Sequence, residues 1–100
     1  MKKIFLLTLI LYSTNSFAKT HKIIIGAMSY TPENLVVKVG DKVTWINKDI
    51  SIHSATSTDY AFNSRSIRPK KSWTYTATAL GEHPYKCLFH TGMKGKLVIE

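Results

Sequence analysis

The sequence predicts an all-β protein, an antiparallel sandwich or barrel of about seven to eight short strands. Three observations predict it. Short runs rich in Val, Ile, Thr, Trp and Tyr recur along the chain, several of them alternating with period two. Gly, Pro, Asn and Asp punctuate these runs at close spacing. No stretch after residue 18 carries a helical period, which leaves layered sheets as the way to bury the apolar faces.

The first segment stands apart from this pattern. Met1-Lys2-Lys3 is basic, Ile4 to Leu11 is apolar but for Thr8, and Ser16-Phe17-Ala18 offers small residues where a signal peptidase reads. Residues 1–18 are therefore read as a secretory signal peptide cleaved after Ala18, and residues 19–100 as one domain. The apolar run is well short of the roughly 20 residues that span a bilayer, so it is not read as an anchor.

From the mature start, His21 to Met28 holds Ile23-Ile24-Ile25 and reads as a first strand, with Met28 as a buried strand residue. Tyr30 to Asn34, with Pro32, breaks it. Leu35 to Val39 reads as a second strand with Leu35, Val37 and Val39 on one face, ended by Gly40-Asp41. Lys42 to Asn47 alternates, with Val43 and Trp45 facing one way, and Asn47-Lys48-Asp49 is a loop. Ile52 to Ser57 reads as a short strand carrying His53. Asp59 to Arg68 is irregular, and Pro69-Lys70-Lys71 turns the chain. Ser72 to Ala77 puts Trp73, Tyr75 and Ala77 on one face; His83 to Cys87 puts His83, Tyr85 and Cys87 on one face; Gly95 to Glu100 closes the fold. Trp45, Trp73, Tyr75 and Tyr85 are core aromatics, and His83 is a core or edge histidine.

Removal of the first 18 of 100 residues leaves 82, enough for one small core. It also removes Lys2 and Lys3, so 12 Lys and Arg face 6 acidic residues, a net charge of +6. Such a charge favours an acidic partner. The basic residues are scattered rather than clustered, which with export argues against nucleic acid. A single cysteine, Cys87, excludes an internal disulfide and leaves an intermolecular link, an inert core thiol or a metal ligand.

Cys87, His90 and Met93 follow one another at three-residue steps, with Gly92 and Gly95 to let the backbone turn. A thiolate, an imidazole and a thioether in one loop suit copper in both oxidation states, and His53 is available as a second imidazole through the fold. Taken singly, each has a plainer reading: a buried thiol, a hydrogen-bonded histidine, a core methionine. Their joint spacing favours the metal.

With these residues go Met28-Ser29-Tyr30-Thr31-Pro32, Val39-Gly40-Asp41-Lys42-Val43-Thr44-Trp45, Asn47-Lys48-Asp49 ahead of His53, and Gly81 ahead of Tyr85-Lys86-Cys87. Over nearly all of its mature length the chain resembles the small blue copper proteins, the cupredoxins, in their plastocyanin and amicyanin branch, with the short amicyanin-type gap between His90 and Met93. The resemblance implies an eight-stranded Greek-key sandwich holding one type 1 copper ion, with His53, Cys87 and His90 as equatorial ligands and Met93 as the weak axial one. It implies amides near the site, that of Ser54 among them, bonded to the sulfur, and one-electron Cu(I)/Cu(II) transfer through the edge of His90. The sequence departs from the family pattern at Ile52, Phe89 and Lys70, where prolines or a Pro-Gly turn are usual; none is a ligand, and the departures bear on loop rigidity.

The function expected is therefore that of a monomeric periplasmic electron carrier and not an enzyme, since two of the four histidines are assigned to the blue site and none stands in a His-x-His pair from which a second, catalytic copper centre could be built. Its partner would be a redox protein with an acidic docking surface, such as a cytochrome or a periplasmic dehydrogenase or reductase, with no stable membrane association. The lysines, and the Arg65, Arg68, Lys70 and Lys71 stretch, would steer that encounter. The alternative is copper buffering or delivery by the same ligands. A separate expectation concerns the new terminus Lys19-Thr20-His21, whose amine, amides and imidazole could form a square-planar Cu(II) site.

Overall fold

The computed structural model describes residues 17–100; residues 1–16, most of the signal peptide read above, lie outside the described residues. Eight strands form two four-stranded sheets. They are β1 (Thr20–Gly26), β2 (Ser29–Thr31), β3 (Asn34–Val37), β4 (Lys42–Asn47), β5 (Thr56–Ser57), β6 (Ser72–Thr76), β7 (Gly81–Lys86) and β8 (Lys94–Ile99). One sheet runs β2-β1-β4-β6 and the other β3-β8-β7-β5. The chain thus crosses between sheets after each of β2, β3, β4, β5 and β6, as a two-layer sandwich does.

Period-two alternation sets what each strand buries. Ile23 and Ile25 of β1, Val43 and Trp45 of β4, and Leu97 and Ile99 of β8 point inward and are essentially inaccessible. Each such aliphatic side chain contributes about 1.5–3 kcal/mol of burial. Phe62, from the irregular segment, fills the middle of the sandwich, within 6.4 Å centroid distance of Trp45, Trp73, Tyr75 and Tyr85. His83, Tyr85 and Cys87 are buried on the inner face of β7 and its continuation, in line with their common parity.

The sheets are mixed. β1 pairs with β4 and β3 with β8 in parallel, while β1–β2, β4–β6, β5–β7 and β7–β8 are antiparallel. Alternation reports which face a residue occupies and carries no information on strand direction, so the parallel pairs were not visible in it. Other boundaries also shift. Tyr30, placed in a break by its neighbour Pro32, is buried in β2. Met28 is not a buried strand residue: it takes φ 62° in the β1–β2 turn and is 46% exposed. Val39 lies beyond β3 and is also exposed, because the chain leaves the sheet at Lys38 to form the Gly40-Asp41 turn. The short strand expected over Ile52 to Ser57 reduces to β5, with His53 in an isolated bridge to Ile67.

Pro69-Lys70 is a type II turn in all but its residue. The Lys71 amide donates to the Arg68 carbonyl at 3.0 Å, and Lys70 sits at the position that needs positive φ, with φ 68°. A side chain there is strained, and the exposed Lys70 is held through its backbone amide, which donates to the Asn47 carbonyl at 2.8 Å and which a glycine would keep. Lys70→Gly is expected to stabilise the fold by about 0.5–1 kcal/mol, read as a melting temperature about 4 °C higher.

Candidate metal centre

The site is built at the end of the sandwich where β4 and β7 finish. Asn47, the fully buried last residue of β4, organises the first half. Its Nδ2 donates to the Ser51 and Ile67 carbonyls, both at 2.8 Å, and its Oδ1 accepts from the Asp49 amide at 2.9 Å. The 47–51 loop is thereby folded back on itself. His53 then exchanges both backbone hydrogen bonds with Ile67, at 3.2 and 2.7 Å. The backbone of His53 is fixed although it lies outside the named strands.

The second half is the loop after β7. The Cys87 amide donates to the Met93 carbonyl at 3.1 Å, and the Met93 amide to the His90 carbonyl at 3.4 Å. Gly92, at φ 89°, makes the reversal that this closure requires. A loop of five residues is therefore pinned at its base and directs Cys87, His90 and Met93 from one compact turn. Cys87 and Met93 are buried, His90 is partly exposed, and Leu88 and Phe89 project outward.

The two halves meet. One ligand atom each from His53, Cys87 and His90 lies within 4.8 Å of the others. Cys87 Sγ is 3.7 Å from His53 Nδ1, and the two imidazole centroids are 4.6 Å apart. Both rings are oriented by a partner on the far nitrogen. His53 Nε2 lies 2.8 Å from Asp49 Oδ2, and His90 Nε2 lies 3.0 Å from the Ile52 carbonyl. A carbonyl, like an ionised carboxylate, can only accept, so Nε2 is the donor of each ring; a neutral imidazole donating there has its lone pair on Nδ1, the atom that His53 sets 3.7 Å from Cys87 Sγ. The His53 bond in turn holds the Asp49 carboxyl below its usual range. This carboxylate–histidine arrangement is the outer-sphere support that metal-ligating histidines ordinarily have.

The sulfur has its own support. The Phe89 amide donates to Cys87 Sγ at 3.4 Å. Ser54 acts differently from expectation: its hydroxyl, not its amide, reaches the loop, accepting from the Leu88 amide at 2.9 Å. Asp49, Asn47 and the Ile52 carbonyl were not singled out as site groups from the sequence. The signal was present for Asp49, four residues before His53 in a loop, once His53 is taken as a ligand.

A buried thiol (5% exposed), two imidazoles that each bring a ring nitrogen close to it and a buried methionine in the same turn form a donor set that fits copper in a type 1 site. Fold and donor set together define the class: the chain belongs to the cupredoxin-like family, whose domain description matches residues 3–99. Within that family its relatives include amicyanin of Paracoccus denitrificans, 33% identical over 81 residues, 76% of this chain and 62% of the relative. The chain therefore spans somewhat less than two thirds of that relative's length. Among solved structures, a reduced Cu(I) form of an amicyanin variant at pH 4 superposes with a TM-score of 0.74 at 30% identity, covering 87% of this chain and 86% of that one. A purple cupredoxin from Nitrosopumilus maritimus gives 0.74 at 29% identity, covering 80% and 99%.

Proposed function

We propose that this protein is a blue copper electron carrier of the amicyanin kind, with His53, Cys87, His90 and Met93 as ligands to one copper ion. The observation that carries the reading is the convergence of Cys87 Sγ, His53 Nδ1 and a ring nitrogen of His90 within 4.8 Å, with each ring held by a partner on Nε2. Copper bound there supplies a one-electron Cu(I)/Cu(II) couple. The chain's contribution is a geometry that need not change with that couple: Asn47 and Ile67 hold His53, the Met93–Cys87 closure holds the loop, and the Phe89 amide tunes the thiolate.

His90 is the ligand nearest solvent. Leu88 and Phe89 beside it, and Ile50 and Ile52 from the facing loop, are all exposed. Together they would form an apolar landing face for brief contact with a redox partner. Three of the six acidic residues, Asp41, Asp49 and Asp59, are occupied by His21, His53 and His83, which leaves most lysines without a carboxylate. The partner's matching surface would be acidic, and attraction would speed encounter at low salt. Residues 1–18 would be removed on export to the periplasm, and residues 19–100 would act as a monomer. Among the described residues no helix is long and apolar enough to cross a membrane.

The test is a visible spectrum of protein beginning at Lys19 with one equivalent of Cu(II), followed by reductant and then re-oxidation. An intense blue colour that bleaches and returns is expected, with electron self-exchange faster than copper loss to a chelator. A colourless Cu(II) complex overturns the type 1 assignment. Ready release of Cu(I) with slow self-exchange instead favours copper delivery.

A further inference from the structure

We propose that Asp41 is a built receptor for the α-ammonium group that removal of residues 1–18 creates at Lys19, so that processing completes an ion pair locking β1 into the fold. The inference rests on the reading of those residues as a leader cleaved after Ala18.

Asp41 sits at the end of β4 opposite Asn47 and the metal centre. Its residue is 5% exposed, and its backbone is held by the Lys38 carbonyl at 2.9 Å and the Ala77 amide at 2.8 Å. Three donors converge on its carboxylate: the Lys19 backbone nitrogen at 3.0 Å, His21 Nε2 at 2.9 Å and the Lys38 amide at 3.1 Å. Led by the Lys19 amide, then the His21 ring, they hold the carboxyl down at about 2. Within 4.0 Å, His21 is its one ion-pair partner among the described residues. While the peptide before Lys19 is intact, two of the three donors are neutral amides. A nearly buried carboxylate thus waits on a backbone nitrogen without a fixed cation against it.

The cleavage point lies at that nitrogen. Phe17 is 90% exposed and Ala18 is exposed, whereas the Lys19 carbonyl already accepts from the Lys42 amide at 2.8 Å and Thr20 opens β1. The Ala18–Lys19 bond is the last peptide outside the sheet. Hydrolysis adds water across it: Ala18 leaves as a carboxylate, and the Lys19 nitrogen takes up protons to become an ammonium. The same atom, in the same place, changes from an amide donor to a cation facing Asp41 Oδ1. Charge-assisted bonds of this kind are roughly twice as strong as neutral ones.

The arrangement also competes with the square-planar Cu(II) site considered for Lys19-Thr20-His21. That site needs the amine, two amide nitrogens and the His21 ring. The Lys19 backbone nitrogen, an amide in the uncleaved chain, and the His21 ring both bond Asp41, and Thr20 and His21 are registered against Lys42 and Val43 in the β1–β4 ladder.

Linkage gives the pH behaviour. Lys19, Lys38, His21 and Glu100 line the shallow cleft with Asp41 and are the titratable groups that face it. An amine with a carboxylate partner has a raised pKa, so its contribution is present below the ordinary α-amino value of about 8 and fades as pH rises through the raised value. The depressed Asp41 contributes above its ordinary value near 3.9 and fades as pH falls toward about 2.

The experiment compares copper-loaded protein beginning at Lys19 with protein beginning at Ala18, each with Asp41 and with Asp41→Asn. Intact mass of the exported protein is expected to show Lys19 as its first residue; a different start overturns the proposal at its processing step. At pH 6 the Lys19 form is expected to melt about 4 °C above the Ala18 form, with the gap closed in Asp41→Asn and shrinking as the α-amine deprotonates. Equal melting, or a gap that survives Asp41→Asn, overturns the proposal. Should Asp41→Asn fail to fold, NMR titration of the 15N-labelled α-amine decides: a pKa above about 8 supports the pair, and one at or below it refutes it. Colour with Cu(II) is expected in every folded form, so this result stands apart from the copper assignment.

Discussion

Cys87→Ser is expected to abolish the blue colour of the Cu(II) protein while leaving the fold intact. The colour of a type 1 site belongs to the thiolate, which shares electron density with the metal; a serine hydroxyl is harder and stays protonated at neutral pH. Size and position change little. The Phe89 amide that donates to Sγ at 3.4 Å can donate to a hydroxyl, and the Cys87 amide remains on the Met93 carbonyl. The loss in stability of metal-free protein is accordingly only about 1 kcal/mol. His53 and His90 keep their outward partners Asp49 and Ile52, so weak Cu(II) binding through two imidazoles persists without the intense band. Visible absorption and electron paramagnetic resonance of the variant, read beside its melting curve, separate loss of the ligand from loss of the fold. A variant that folds and stays blue would show that Cys87 is not bound to the metal.

Why the ligand set could be named before the structure, and its supports could not, follows from where information sits in the chain. Cys87, His90 and Met93 are local: their spacing in one loop announces shared chemistry. His53 needed the fold to reach them, but an all-β reading supplied one able to do so. The supporting groups depend on contacts that spacing does not encode. Asn47 works through Ile67, 20 residues away, and Ile52 through its carbonyl, which any residue would offer. Ser54 was expected to act through an amide and acts instead through its hydroxyl on Leu88. The same division holds for the scaffold. Strands that alternate over five or six residues, such as β4 and β6, stood out, while β2, of three residues, did not, and β5 keeps only two residues of the strand expected over Ile52 to Ser57. Their formation is decided by partners, Ile24 to Gly26 for β2 and Tyr85 to Lys86 for β5.

Gly95→Ala joins scaffold and site in one substitution, and its effect should be large. Gly95 begins the inward face of β8, directly opposite Tyr85 in the β7–β8 register. A Cβ built there would stand 2.5 Å from Tyr85 Cζ, 2.6 Å from its hydroxyl and 2.9 Å from Cε2, closer than real contacts allow. The ring has nowhere to go. It is 1% exposed and packed edge-on against Tyr30 at 4.6 Å and Trp45 at 5.5 Å, with Phe62 at 5.8 Å. The strain must therefore be taken by the start of β8, and Met93 lies two residues earlier, with its carbonyl on the Cys87 amide. Overpacking of this kind costs about 3 kcal/mol or somewhat more, equivalent to a fall in melting temperature of about 12 °C or more in a domain of this size. The blue band should weaken or shift as the base of the ligand loop is displaced. Pairing the substitution with Tyr85→Leu, which removes the clashing atoms, should cost much less than the sum of the two single changes. If instead Gly95→Ala melts with the parent, or the two changes simply add, the close approach of Tyr85 to the backbone of Gly95 does not govern this end of the sandwich.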